Sequence, residues 1–464
     1  MAAFTSRGRG LPENRGVAMT LLTRRNAIQL GAGALAGSTM LASGSLRAQI
    51  AVKQVTPPSF PIEDGASLRV LRPSKFVQGD ETLFLENSKK FAEKTGVQVT
   101  VTSESWEDLR PKTATAAAIG SGPDIVFAWS DDPHKFEAQC VDLTELADYL
   151  GEKYGGWWPI VEKYGKSQTT GKWIAMPVGG SGNRVVYRKS WVNEAGYETI
   201  PADLDGFLDM AKKLQANGHP IGFALGNATG DANSWCHWLM WTFGGSLTDE
   251  NDQVTINSKE TIEALKYGKE LASTFVPGAA SWLDPSNNKA FLAGEISATG
   301  NGISVYYAAK TSQDAALQKM AEDIYHARMP FGPAGKPTER ALIVNPMIFS
   351  HSKYPNAAKE YLRFMMEEEQ YLPWLTASIG YWNHPLQAYD KAPIWTDDPK
   401  HTPYQHVLSD AIWDGYKGSV GEASAAVTAD FVVVQMVASV ATGQATPEEA
   451  AAEAERRAKR YYRS

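Results

Sequence analysis

Hydrophobic and polar positions in the first third of the chain switch between two periods. Residues 68–74 read as a short strand, and a helical stretch over 81–95 ends at Gly96, a natural helix stop. Residues 97–102 alternate as a strand does, and 110–119 are helical. After the turn Gly120-Ser121-Gly122-Pro123 comes Asp124-Ile125-Val126-Phe127-Ala128-Trp129, an apolar run of the buried-strand type. Strand, helix, strand, helix, strand predicts a parallel sheet in an α/β fold. The alternation resumes after Trp173 with a strand at 184–188, a helix at 204–215 and an apolar strand at 220–225. The C-terminal part is helical. Its last helix opens on Thr446-Pro447-Glu448-Glu449, where a side-chain cap, an early proline and a glutamate three after the cap form a capping box.

The N-terminus fits a targeting peptide better than a folded element. Thr23-Arg24-Arg25-Asn26-Ala27-Ile28 is a paired-arginine box, and a Gly/Ala/Ser-rich, weakly apolar run follows to about Ala42, with a plausible cut after Ala48. That order reads as a twin-arginine export signal over residues 1–48. The run is shorter than the roughly 20 residues of a spanning helix. No cysteine lies near the cut, so a freely diffusing periplasmic protein is expected.

Removing residues 1–48 takes away six arginines and one glutamate, leaving 39 basic and 51 acidic residues, a net charge of −12. Nucleic acid is therefore an unsuitable partner. The remaining 416 residues exceed one compact core and fit two lobes. Cys140 and Cys236, the only cysteines, fall in different lobes on this division, so no disulfide between them is expected. The eight histidines lack metal-ligand spacing and the cysteines form no C-x-x-C pair, so neither a metal nor a cofactor is expected.

Four segments taken in order carry a family likeness. They are Gly122-Pro123-Asp124-Ile125-Val126-Phe127-Ala128-Trp129, leading to Leu143-Thr144; Gly171-Lys172-Trp173-Ile174-Ala175-Met176-Pro177, leading to Val186-Tyr187-Arg188-Lys189 and Glu194-Ala195-Gly196; Ala290-Phe291-Leu292-Ala293-Gly294-Glu295, leading to Thr299-Gly300-Asn301-Gly302; and Asn356-Ala357-Ala358-Lys359-Glu360-Tyr361-Leu362. Together they resemble the extracellular solute-binding proteins that include maltose-binding protein. One departure concerns the ligand: Val178-Gly179-Gly180-Ser181-Gly182-Asn183 lacks the acidic residue that maltose-binding protein carries there.

The resemblance implies a two-lobed α/β periplasmic-binding-protein fold of type II, with ligand in the cleft between lobes. One lobe would comprise residues 49–178 plus 330–384, the other 179–329 plus 385–464, with crossings near Val178, Pro330 and Pro385. It further implies a monomer that captures a solute by hinge closure and delivers it to ABC permease subunits in the inner membrane.

A sugar or polyol needs directional partners for its hydroxyls and flat rings for its C–H faces, and position along the chain selects the candidates. Trp129 ends a strand at the carboxyl edge, where open α/β sheets place ligands, and Asp131 and Asp132 follow at once. Their alternative role is to cap the next helix. Trp129→Ala is accordingly expected to weaken binding by about 1–3 kcal/mol with the fold intact. Lys75 sits in a loop matching a ligand-contacting loop of the family, and Trp106 follows the second strand. Asn183 lies by the first crossing. Asp231 and Trp235 belong to a polar loop rich in amides, whereas Trp238 and Trp241, at helical spacing, read as a core stripe. Asn301 and Tyr306 follow the third segment, and Tyr381 and Trp382 precede the last crossing, with Trp382 the preferred stacking partner.

Three other readings stand beside a sugar. Ferric iron is raised by the adjacent Tyr306-Tyr307, and a polyamine by Trp129 with Asp131 and Asp132. A cofactor-bearing periplasmic enzyme is the third, disfavoured because G-x-G-x-x-G after a strand, H-E-x-x-H, G-x-S-x-G and a cysteine cluster are all missing from the sequence.

Overall fold

A computed structural model describes residues 50–463. The export signal expected over residues 1–48 lies outside the described residues. Two sheets organise the rest. The first has the order β2-β1-β3-β8-β4, built from β1 (Ser67–Pro73), β2 (Gln98–Glu104), β3 (Ile125–Trp129), β4 (Gly179–Gly182) and β8 (Ala341–Ile348). The second is β6-β5-β7, from β5 (Arg184–Arg188), β6 (Ala298–Asn301) and β7 (Ile324–Ala327).

β1 pairs in parallel with β2 and β3, as the alternating pattern predicts. β8 enters antiparallel between β3 and β4, so the sheet is mixed. Every residue of β3 is buried, because neighbours on both sides leave it no open edge. Between β1 and β2 runs the Gln78–Thr95 helix. It ends on Gly96 at φ 80°, whose backbone N–H donates to the Ala92 carbonyl, closing the helix in the left-handed way that glycine allows. The Trp106–Ile119 helix starts where the Ser105 hydroxyl accepts the Asp108 N–H.

The second sheet is wholly antiparallel, unlike the first. Residues 220–225 are buried and extended, yet they form no ladder strand: Ile221 makes one isolated bridge to Phe275, and Gly222 N–H donates to the Ala298 carbonyl. Around this sheet lie the Leu204–Ala216, Asp231–Thr242 and Lys259–Ala272 helices and the late Val432–Ala441 and Pro447–Ala458 helices. The last of these carries the expected capping box of Thr446 and Glu449.

The chain changes sheets at two places among the described strands. β4 ends at Gly182 in the first sheet and β5 starts at Arg184 in the second, so Asn183 is one crossing. The other lies between β7, which ends at Ala327, and β8, which starts at Ala341, a span that includes Pro330. Pro330 still packs on the second lobe, its carbonyl accepting from Trp238 Nε1 at 3.0 Å. Residues 387–411 touch both lobes: the Lys400 carbonyl bonds His326 of β7, while Leu408 and Val407 pack against Gly180 and Gly182 of β4. Prolines mark turns, whereas a crossing is fixed by where backbone pairing changes partner. Cys140 bridges to Phe349 beside the first sheet and Cys236 is buried in the Asp231–Thr242 helix of the second lobe.

Candidate functional site

Between the lobes lies a cavity of about 20 Å³, room for roughly one water molecule, so a sugar-sized guest needs the lobes further apart than they stand here. Phe76, Trp106, Ser181, Leu342 and Tyr381 reach it from the first lobe, and Asp231, Ser234, Asp284, Asn288, Asn301 and Ser304 from the second, with Asn183 at the crossing.

One wall is aromatic and two layers deep. Phe76 meets Trp106 edge-on at 4.8 Å, and Tyr381 lies 6.5 Å from Phe76. Behind them, Trp129 and Trp382 pack on Trp106 at 4.7 and 6.1 Å and on each other at 6.4 Å. Trp106 Nε1 donates to the Ser74 carbonyl and Trp129 Nε1 to the Trp106 carbonyl, so both indoles are fixed. Trp106 is thus held in place before any ligand arrives.

The opposite wall is polar and acidic. Asp284 opens the Asp284–Leu292 helix and accepts the backbone N–H groups of Gly230 (3.1 Å) and Asp231 (2.7 Å), capping the Asp231–Thr242 helix from outside. Asn287 donates to one Asp231 oxygen at 2.8 Å. Burial pushes Asp284 up to about 6 despite those backbone bonds. Asp231 is raised well above the usual carboxylate range, by burial and then by Asp284. Asn301 and Asn288 are hydrogen-bonded to each other and to Ser304. The Asn183 amide nitrogen is buried at the cavity without a partner among the described residues.

The lobes touch. An added Cβ on Gly230 of the second lobe would fall 2.9 Å from the Trp106 ring, and one on Gly302 would fall 2.6 Å from Ser181 Oγ. Gly79 N–H donates to the Tyr307 hydroxyl across the cleft at 3.0 Å.

Of the residues expected at the ligand, Trp106, Asn183, Asp231 and Asn301 line this cavity. Seven do not. Trp129 is fully buried and Trp382 nearly so, both forming the rear aromatic layer. Trp235 lies in the second lobe's core between Phe223 and Phe275, its Nε1 bonded to the Ala224 carbonyl. Trp238 and Trp241 are core, in keeping with their spacing. Tyr306 donates to Asp398 at 2.6 Å, away from the cavity. Lys75 is exposed and paired with Glu81, and the loop reaches the site through its neighbour Phe76.

Asp131 and Asp132 are buried behind the cleft, near the crossings. Arg110 Nε donates to both Asp132 oxygens (2.9 and 2.8 Å), and Arg340 grips Asp414 with a two-pronged bond (2.6 and 2.8 Å). Asp131 accepts from Ser424 at 3.2 Å. Burial, then Asp414 and Asp132, pushes its carboxyl well up. Burial alone would raise Asp414 too, but Arg340 outweighs it and holds that carboxyl below its usual range. A third ion pair, Arg184–Glu339 at 3.2 Å, is buried beside the crossing at Asn183. The sequence gives no sign of Asp284, whose contribution depends on a helix start 53 residues earlier. Ser304 lies between the named candidates Asn301 and Tyr306 and could have been found from them, whereas Tyr381, which the sequence places with Trp382 ahead of the last crossing, does line the cavity.

Two sheets joined by chain crossings, with a polar and aromatic pocket between them, define a binding protein that folds around a small solute. The chain belongs to the bacterial extracellular solute-binding protein family, whose model matches residues 87–403. A probable ABC transporter-binding protein of Deinococcus radiodurans is 26% identical over 202 residues, 42% of this chain; the chain matches about half (47%) of that relative's length. Among solved structures, a maltose-bound protein of T. maritima aligns with TM-score 0.73 and 20% identity, covering 85% of this chain and 99% of that one. A ribitol complex from Agrobacterium radiobacter gives 0.69 and 19%, covering 86% and 99%. At these identities the structures establish a shared two-lobed fold.

Proposed function

We propose that the protein is the solute-capturing component of an ATP-driven importer for a carbohydrate or polyol. The observation that carries this reading is the cavity, which sets the Trp106, Phe76 and Tyr381 rings across from Asp231, Asn288, Asn301 and Ser304. Rings offer a flat surface to C–H faces, and the polar wall offers acceptors and donors to hydroxyls. The maltose and ribitol held by the two structural relatives support the same chemistry.

Both lobes supply groups, so a ligand makes its full set of contacts only when they meet. It therefore favours the closed form by that difference in contact. The twin-arginine box supports export to the periplasm, and the name of the relative in Deinococcus radiodurans supports delivery to ABC permease subunits, for which we propose a monomeric carrier. The other readings have lost their residues. Tyr306 and Tyr307 bond separately to Asp398 and Gly79, which does not make a shared iron seat, and Asp132 is taken by Arg110. No catalytic step is assigned.

The test is calorimetry with small-angle scattering over sugars and polyols. One class should bind with about −8 kcal/mol, ordinary for micromolar affinity, and the radius of gyration should fall on binding. A shape unchanged by every sugar and polyol that binds would remove the closure mechanism; an absence of binding would remove the ligand class.

A further inference from the structure

We propose that the cleft sorts solutes by charge: it takes uncharged polyhydroxylated molecules and rejects their phosphorylated, uronic or sulfonated relatives, with Asp231 as the specificity-determining residue. This rests on the carbohydrate reading above and narrows it. Two carboxyl groups, Asp231 and Asp284, line the cavity, and no Lys, Arg or His does so among the described residues. The nearest guanidinium along the chain, Arg184, is bonded to Glu339 and to the Pro403 carbonyl. An anion entering here would give up its hydration and find carboxyl groups with no cation to balance it.

The same wall decides against a cation. Asp284 already serves two backbone N–H groups, and Asn287 occupies one oxygen of Asp231, so a single carboxylate oxygen of Asp231 is left for the guest. The unpartnered Asn183 amide, 5% exposed, presents donors that need an acceptor. An ammonium group has none to give, whereas a hydroxyl both donates to Asp231 and accepts from Asn183. Neutral hydroxyls therefore satisfy both walls at once.

The experiment is a thermal-shift and calorimetry panel on the exported protein at pH 7. Glucose, mannitol and ribitol are each run beside a phosphate ester, with glucuronate, glucosamine and putrescine added. A neutral member should bind and its anionic partner should bind at least a hundredfold more weakly. Asp231→Asn, nearly isosteric, should cut that discrimination at least tenfold, with circular dichroism confirming the fold. An anion or amine binding as tightly as its neutral parent overturns the proposal and leaves the carbohydrate reading standing. Discrimination unchanged in a folded Asp231→Asn protein removes Asp231 from its role. Silence from every sugar and polyol, neutral or anionic, overturns the carbohydrate reading itself.

Discussion

Two groups of buried carboxyls sit close to the same cleft and behave in opposite ways. Behind it, Asp132 and Asp414 each hold a guanidinium, from Arg110 and Arg340, and Asp131 is left between them as a third, raised carboxyl. Facing it, Asp231 and Asp284 have backbone and amide donors but no cation. The rear group gets its cations from the chain and lies off the pocket, although Asp131 Oδ1 and terminal nitrogens of Arg110 and Arg340 have no partner among the described residues. The front group faces the pocket without a cation. The aromatic rings divide the same way, with Trp129 and Trp382 bracing from behind and Trp106 facing the solute. Residue type alone does not mark a site; what counts is whether the rest of the chain has already met its needs.

The strongest way to break this comparison is at Arg340. Arg340→Ala strips Asp414 of its partner and should cost about 3–5 kcal/mol of stability, as removing one member of a buried pair does, read from urea unfolding. A cost near zero would mean the rear group is not structural. Trp129→Ala should cost a similar ~3–5 kcal/mol for an emptied aromatic site. This corrects the expectation that Trp129 contacts ligand in an otherwise intact fold.

Trp106→Ala should instead weaken solute binding by about 1–3 kcal/mol, the larger part of its effect appearing in calorimetry. If its loss is confined to stability, the front and rear layers are not distinct.

pH sharpens the contrast by sign. Asp284 stands at about 6 in the fold against about 3.9 unfolded. Between these values the native state keeps a proton that the unfolded chain has released, so this group makes stability fall as pH rises from about 4 to 6. Asp414 is depressed, so its contribution is present above the ordinary carboxylate value and disappears as pH drops below it. The buried His134 and His237, lowered by burial to about 4, slope the other way from Asp284 over the same range. The Asp284 effect is therefore read as a difference: unfolding curves at pH 4, 5 and 6 should converge for wild type and Asp284→Asn at the acid end and separate, in favour of the variant, toward 6. The smallest effect is expected at the cleft latch, where Tyr307→Phe removes one hydrogen bond. It should weaken closure by about 1 kcal/mol, visible as a modest loss of affinity.

How much of this was legible in the sequence depended on distance along the chain. β1, β2 and β3 with their helices follow local periodicity, and the capping box at Thr446 needs four residues. The resemblance supplied the two lobes. What stayed hidden was pairing at long range. Asp132 looked like a free carboxylate because its partner Arg110 sits on a separate helix, Asp131 because Ser424, which donates to it, lies almost three hundred residues on, and Trp129 looked like a rim residue because its roof, Trp106 and Trp382, comes from two other segments. Residues 220–225 had a strand's composition, but their neighbours gave them only one bridge.

Gly230 packs against an indole that cannot retreat, because Trp129 and Trp382 fill the space behind it. A single methyl group there would act as a wedge between the jaws. Such a receptor would fold and circulate normally yet stand slightly ajar, letting go of its cargo because one carbon atom too many keeps the two halves from meeting.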